Sequence, residues 1–250
     1  MRQLHARLFT ILLGAAAACG VQAGEIEKLA LISTIGDTMS VVFYQPSVGS
    51  HLDQNRRQVF NLPDATFDET AIKATTDAVS RLSVATPIPV VAPALDAASR
   101  QSTSSTGRLV PSIGMQTILR NSGATHLLLF TKHRSNTMLK IANGTIGTGY
   151  LEGLGFYVDR SKRMSRSDNG RSGTGFLAPF AYFQVSLVDL SSWEILKEEI
   201  VQASTTLSAA RLDEGFDPWD ILNADQKVAI LQKFIRTETT RVVPLLLNAK

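Results

Sequence analysis

Two short stretches with potential metal ligands and one cluster of cations are the places where this sequence could do chemistry. "IGDT" puts Asp37 after a strand-like run, and "HLD" puts His51 and Asp53 on one face of an extended segment. Imidazole and carboxylate together suit a hydrolytic metal ion, so Asp37, His51 and Asp53 form a candidate metal-dependent hydrolase site. The competing reading makes Gly36-Asp37 a hairpin turn and residues 51–55 a polar loop. A hydrolytic site usually draws on more His and Asp ligands than this. His126 and His133 stand at opposite ends of "THLLLFTKH". The first reads as a partly buried structural histidine and the second as a solvent-facing one. With no Gly-x-Ser-x-Gly elbow, a serine triad is not supported.

The cations are Arg160, Lys162, Arg163, Arg166 and Arg171, within "GFYVDRSKRMSRSDNGRSGTGFLAPFAYF". The aromatics Phe156, Tyr157, Phe176, Phe180, Tyr182 and Phe183 flank this run and do not interleave with it. A single-stranded nucleic-acid surface needs stacking platforms among its charges, so no nucleic-acid partner is expected. The segment reads as a hairpin loop near 160–175. It would touch an anionic membrane surface or an acidic partner protein, or simply keep the loop solvated, with the acidic loop at Asp213, Glu214, Asp217 and Asp220 as an internal partner. Glycines crowd "NGTIGTGYLEGLG", but no Lys-Ser or Lys-Thr pair closes a phosphate loop. They mark bends or close backbone approaches in strands. No cofactor is expected.

The start of the chain sets the context. Arg2 and Arg7 precede an apolar run from Leu8 to Ala18, and Val21-Gln22-Ala23 supplies small residues before Gly24. This is the pattern of a secretory signal peptide over 1–23, with a periplasmic domain over 24–250. Cys19, the one cysteine of the chain, follows Ala16-Ala17-Ala18 and offers the alternative of a lipidated N-terminus and an outer-membrane lipoprotein that oligomerises. Either cut leaves a domain without thiols, hence without disulfides or a cysteine nucleophile. The 25 basic and 22 acidic residues of the whole chain fall to 23 and 22 once Arg2 and Arg7 are gone. The remaining charge is near neutral, and only local clusters carry an electrostatic argument.

The elements that would position these residues alternate. Strands are expected on both sides of Gly36-Asp37, then a polar loop or short irregular strand up to Asp64. Thr66 and Glu69 suggest a capping box for a helix over 66–83. A proline-limited edge strand in "TPIPVV" and a Ser/Thr-rich loop come next. A helix over 111–122 and a buried strand in "ATHLLLF" form an α/β unit. Three antiparallel strands, a "Val-Asp" turn between two of them, and a long helix capped by Asn223 and Gln226 complete the chain, with Pro244 kinking or ending that helix. The fold class is therefore α/β (α+β): a mixed sheet with helices packed on it, an antiparallel meander and a long C-terminal helix.

"GATHLLLF" and "FQVSLVDLSSWEILKEE", taken with this order of elements, resemble the periplasmic α/β domains of three families. These are the curli-secretion lipoproteins, the penicillin-binding-protein activator lipoproteins and the amino-terminal domain of the Tol-system β-propeller protein. The resemblance implies an exported, non-catalytic envelope accessory or adaptor protein that works through protein–protein contacts.

Overall fold

The computed structural model describes residues 26–36, 38–46, 55–62, 65–90, 107–165, 172–208 and 217–248. Its frame is one mixed sheet, as expected for the class. Strand β1 (Lys28–Ser33) runs parallel to β4 (Thr86–Pro89) on one side and to β5 (His126–Lys132) on the other. β2 (Thr38–Phe43) lies between β3 (Arg56–Asn61) and β9 (Tyr150–Ser165). β10 (Ser172–Asp189) is the long strand that joins these halves. Its first part pairs antiparallel with β9 and its second part with β5. β11 (Ile195–Ser204) and β12 (Leu207–Ser208) flank its other edge.

The register shows that β5 and β9 lie end to end along β10, since Lys132 faces Phe183 and Gly153 faces Tyr182. Consequently β1 and β2 also lie end to end. The expected hairpin across Gly36-Asp37 is not formed: β1 and β2 do not pair with each other. Ser33 is level with Val185 of β10 through Phe130, and Met39 is level with Ala181 through Leu154. The chain thus spends six steps where β10 spends four, and the excess is a jog between two collinear strands. Amides that leave the ladder there need other partners. Asp68 supplies one: its Oδ1 accepts from Ile35 N at 2.9 Å, Gly36 N at 3.1 Å and Ser33 Oγ at 2.5 Å.

Asp68 stands in the first turn of α1 (Thr66–Leu82), and this changes the expected capping. Thr66 is inside the helix and Ala65 is the cap residue, without a side-chain hydrogen bond. The Thr66–Glu69 box does not form. The segment before α1, expected to be loop or irregular strand, contains the regular β3. The second helix, α2 (Ile113–Asn121), starts two residues later than expected because Ser112 caps it, its Oγ accepting from Met115 N at 3.4 Å. The last helix, α3 (Ala224–Leu247), has the expected capping box, with both Asn223–Gln226 bonds at 2.9 Å. It continues through Pro244 to Leu247 rather than ending there. No described helix is long and apolar enough to cross a membrane.

Both faces of the sheet are covered. On one, Leu31, Phe130, Phe156, Phe183 and Val185 pack with Ala71 and Val79 of α1 and with Leu231, Ile235 and Val242 of α3. On the other, Ile32, Leu127 and Leu129 pack with Met115 and Leu119 of α2. Farther along that face, Tyr157, Phe176, Phe180 and Tyr182 pack with Leu139. Leu139 belongs to an excursion between β5 and β9 made of β6 (Arg134–Asn136), β7 (Leu139–Ile141) and β8 (Gly144–Ile146). The excursion gives each buried tyrosine its partner: Met138 N donates to Tyr182 Oη at 3.0 Å and Thr148 N to Tyr157 Oη at 3.3 Å. β10 is buried on both faces here: Ser186 and Val188, alternating with Val185 and Leu187, are buried too, and Ser186 Oγ donates to Glu198 at 2.9 Å.

Candidate functional site

β9 outlasts its neighbour. Its register with β2 ends at Val158, opposite Phe43, yet the strand runs on to Ser165. β10 accompanies it from Ser172. The basic segment is thus not a loop from residue 160 onward. Arg160, Lys162 and Arg163 lie on the strand of a two-stranded arm. Arg166 and Arg171 lie outside the described residues.

The arm begins at a bulge. Asp159 faces Phe176 and Arg163 faces Thr174, so residues 160–162 are set against Gly175 alone. Asp159 is buried, and its Oδ1 accepts from Ser161 N at 2.7 Å, Ser161 Oγ at 2.8 Å and Lys162 N at 2.9 Å. It satisfies the donors that the bulge removes from the ladder. Gly175 has φ +95°, and a Cβ there would sit 2.6 Å from Pro218 Cγ and 2.8 Å from the Asp159 carbonyl oxygen. Only glycine lets the arm rest on the 3-10 turn Pro218–Ile221.

Arg160 holds the same junction from the side. Its guanidinium donates to Asp217, with Nη2 at 2.7 Å and Nε at 3.2 Å from Oδ2. It also lies 5.1 Å above the Phe43 ring, which Arg56 approaches at 4.8 Å. Asp217 Oδ1 accepts from Trp219 N at 3.0 Å, and Trp219 meets Phe156 edge-on at 5.6 Å. Burial raises the Asp217 carboxyl, but the hydrogen bonds and charge of Arg160, with the Trp219 amide, outweigh it and hold the group below its ordinary value. The expected pairing between the basic segment and the acidic loop is therefore real at one position. The arm's cations divide in two. Arg160 is an internal clamp, whereas Lys162 and Arg163 are exposed and form no ion pair among the described residues. Because the clamp is half exposed, Asp217→Asn should cost under ~1 kcal/mol in urea unfolding; the discriminating readout is altered amide shifts at Arg160 and Gly175.

Asp37, His51 and Asp53, the alternative metal set, and Cys19 lie outside the described residues. Among the described residues no three His, Cys, Asp or Glu side chains gather as metal ligands. The glycines of 144–155 serve the β7–β8 turn and β9 and form no phosphate loop: the segment leads into a strand. His133 is half-buried at the far end of β5, where its N–H donates to Tyr182 O at 3.1 Å.

His126 is buried, as expected of a structural histidine, and its Nδ1 lies 3.0 Å from Thr125 Oγ1. Burial lowers its pKa, opposed by the nearby charge of Asp189, and the net shift is downward from 6.5. The sign follows: below the ordinary value the unfolded chain takes up the proton before the folded one. Stability should therefore fall as pH drops through 6.5 toward the lower folded value, and be unaffected above it. Urea midpoints on either side of that pH check this, with a His126→Gln variant expected to flatten the dependence. Sequence reading missed the surroundings of His126: it lines a cleft with Arg120 and Asp189. Arg120 ends a helix and Asp189 ends a strand, and only the β5–β10 register brings Asp189 opposite His126.

No protein-family model and no curated protein sequence matches the chain. Solved structures match it over most of their length at low similarity. Protein XCC0632 from Xanthomonas campestris, of family DUF330, has a TM-score of 0.42 at 10% identity, over 89% of this chain and 84% of that one. The hypothetical protein CT253 from Chlamydia trachomatis has a TM-score of 0.35 at 14% identity, over 88% and 98%. A PelC dodecamer from Paraburkholderia phytofirmans has a TM-score of 0.31 at 9% identity, over 90% and 91%.

Proposed function

We propose that this chain is an exported, non-catalytic accessory protein of the cell envelope that acts through protein–protein contacts, with the β9–β10 arm as its contact element. The observation that carries the reading is the arm itself. It projects past the end of β2, is anchored at its root by Asp159, Gly175 and the Arg160–Asp217 clamp, and presents Lys162 and Arg163 to solvent. An anchored root with exposed cations beyond it suits docking to an acidic protein surface. The nearby aromatics Phe156, Tyr157, Phe176 and Phe180 are all buried in the sheet's core and belong to the body of the domain, so charge is what the described arm offers a partner. The signal-peptide pattern over 1–23 and the resemblance to periplasmic α/β domains support export to the periplasm. Lipidation at Cys19 is the alternative mode of residence.

The test is capture of partners from an envelope fraction with wild type and with a Lys162→Ser, Arg163→Ser variant, which leaves the Arg160 clamp untouched. Loss of a partner in the variant supports the arm. Identical partners in both remove it as the contact element. Mass spectrometry of the native N-terminus separates a chain beginning at Gly24 from one beginning at an acylated Cys19.

A further inference from the structure

At the end of the sheet opposite the arm, a cleft of about 450 Å³ opens between α2 and the β10–β11 turn. Leu119, Arg120, His126, Asp189, Leu190 and Trp193 are among the residues that line it. The volume suits a small molecule. Three features of the wall are unusual together.

The first is His126. Thr125 Oγ1 donates its one proton to the Lys28 carbonyl at 3.1 Å, so it can only accept from His126 Nδ1. The proton is therefore on Nδ1, and Nε2 is a bare acceptor. It is buried and has no hydrogen-bond partner among the described residues. Leaving such an acceptor unpaired is costly, and each case calls for an explanation. The second feature is charge. Asp189 stands opposite His126 across the β5–β10 ladder, and Arg120 is on the same cleft, yet no ion pair joins the two among the described residues. Positive and negative groups are held apart within one cavity. The third is Trp193, whose backbone has φ +61°. A bulky residue in the left-handed region is strained, and here a 2.7 Å bond from its N–H to Asp189 O holds it.

We infer that this cleft binds a small zwitterion with an apolar side chain, of the class of a free hydrophobic α-amino acid. The ammonium donates to His126 Nε2 and Asp189, the two acceptors that lie together. The carboxylate meets the Arg120 guanidinium, and the side chain packs on Trp193, Leu119 and Leu190. Asp189 Oδ1 also accepts from Ser191 N at 2.7 Å, so the ammonium completes a carboxylate shell that the turn begins, and a ligand with one charge only would meet either Arg120 or the His126–Asp189 pair but not both.

The experiment uses the full mature chain and three probes of one size: L-phenylalanine, phenethylamine and 3-phenylpropionate. Binding is followed by the indole N–H resonance of Trp193, told apart from that of Trp219 with a Trp193→Phe variant. Expected is a saturable shift with L-phenylalanine and binding about tenfold weaker or worse for each singly charged probe. Arg120→Gln should weaken L-phenylalanine by about tenfold while leaving phenethylamine unchanged. Asp189→Asn should do the reverse, weakening phenethylamine and sparing 3-phenylpropionate. Equal binding of either singly charged probe, or no saturable shift from L-phenylalanine up to about 10 mM, overturns the assignment. Neither outcome touches the arm, which lies at the other end of the sheet.

Discussion

Gly155→Ala should destabilise the fold severely, although it adds only one methyl group. Gly155 is on β9 opposite Ser40 of β2 and Phe180 of β10. A Cβ at this position would lie 2.0 Å from the Ser40 carbonyl oxygen and 2.8 Å from Phe180 Cζ. The nearer atom is backbone within a ladder, so relief requires β2 and β9 to move apart. Their pairing is parallel and interior, with Val41 and Phe156 buried on one face and Tyr157 and Phe180 on the other. Overpacking of this severity should cost ~3 kcal/mol or more, at the upper end for inserted methyl groups. For a domain of this size that is a fall in Tm of roughly 6–12 °C, or loss of soluble protein. Gly114→Ala is the control. It sits in the first turn of α2, and an added Cβ there meets nothing within 4 Å. It should stabilise by about 0.5–1 kcal/mol by restricting the unfolded chain. Thermal unfolding of the two variants side by side decides the matter: equal behaviour would refute the close approach of β2 and β9.

Asp68→Ala should be nearly as harmful, although the residue looks like a routine acid at a helix start. One carboxylate oxygen accepts three donors, from Ser33, Ile35 and Gly36. Ile35 and Gly36 are buried, so water does not replace the carboxylate when it is removed. Unsatisfied amides of this kind cost ~1–3 kcal/mol each, and the loss should total about 3 kcal/mol after relaxation. Asp68→Asn keeps an acceptor oxygen and should recover at least half of it. The two measurements separate the hydrogen-bonding role from the small helix-dipole contribution, which both variants lose equally. Hydrogen exchange at Ile35 and Gly36 should rise in the alanine variant ahead of global unfolding, because the jog between β1 and β2 is the part that loses its partner.

Much of the architecture was legible because local chemistry decided it. The run "HLLLF" has no alternative to a strand buried on both faces, and β5 is that strand. Asn223 and Gln226 satisfy each other's amides at the start of α3 with no help from the rest of the molecule. Pro87 and Pro89 lack the donors a central strand needs, and β4 is found on the outside of the sheet. Where local signals had a competitor in space, they failed. Gly36-Asp37 carries a turn signal, but β1 finds β5 and β2 finds β9, so the two strands lie end to end instead of forming a hairpin. Thr66 and Glu69 match a capping box, but α1 begins with Ala65 as its cap, which puts Thr66 inside the helix, and Asp68 turns to the jog.

By itself the sequence determined the α/β class, the helices, the principal strands and the presence of five cations in one short segment. Each of these depends on residues close in the chain: their periodicity, caps, prolines and charge. Only the tertiary structure decided what the cations do. Arg160 is separated from Asp217 by 57 positions, and the pair exists because the turn at Pro218 packs against Gly175, where no side chain intervenes. That contact turns one cation into part of the scaffold and leaves Lys162 and Arg163 as its exposed neighbours. The same holds for the cleft at the far end, where a histidine, an aspartate and an arginine from separate elements meet through strand register. Register is set by the burial of whole faces, which no short stretch of sequence contains.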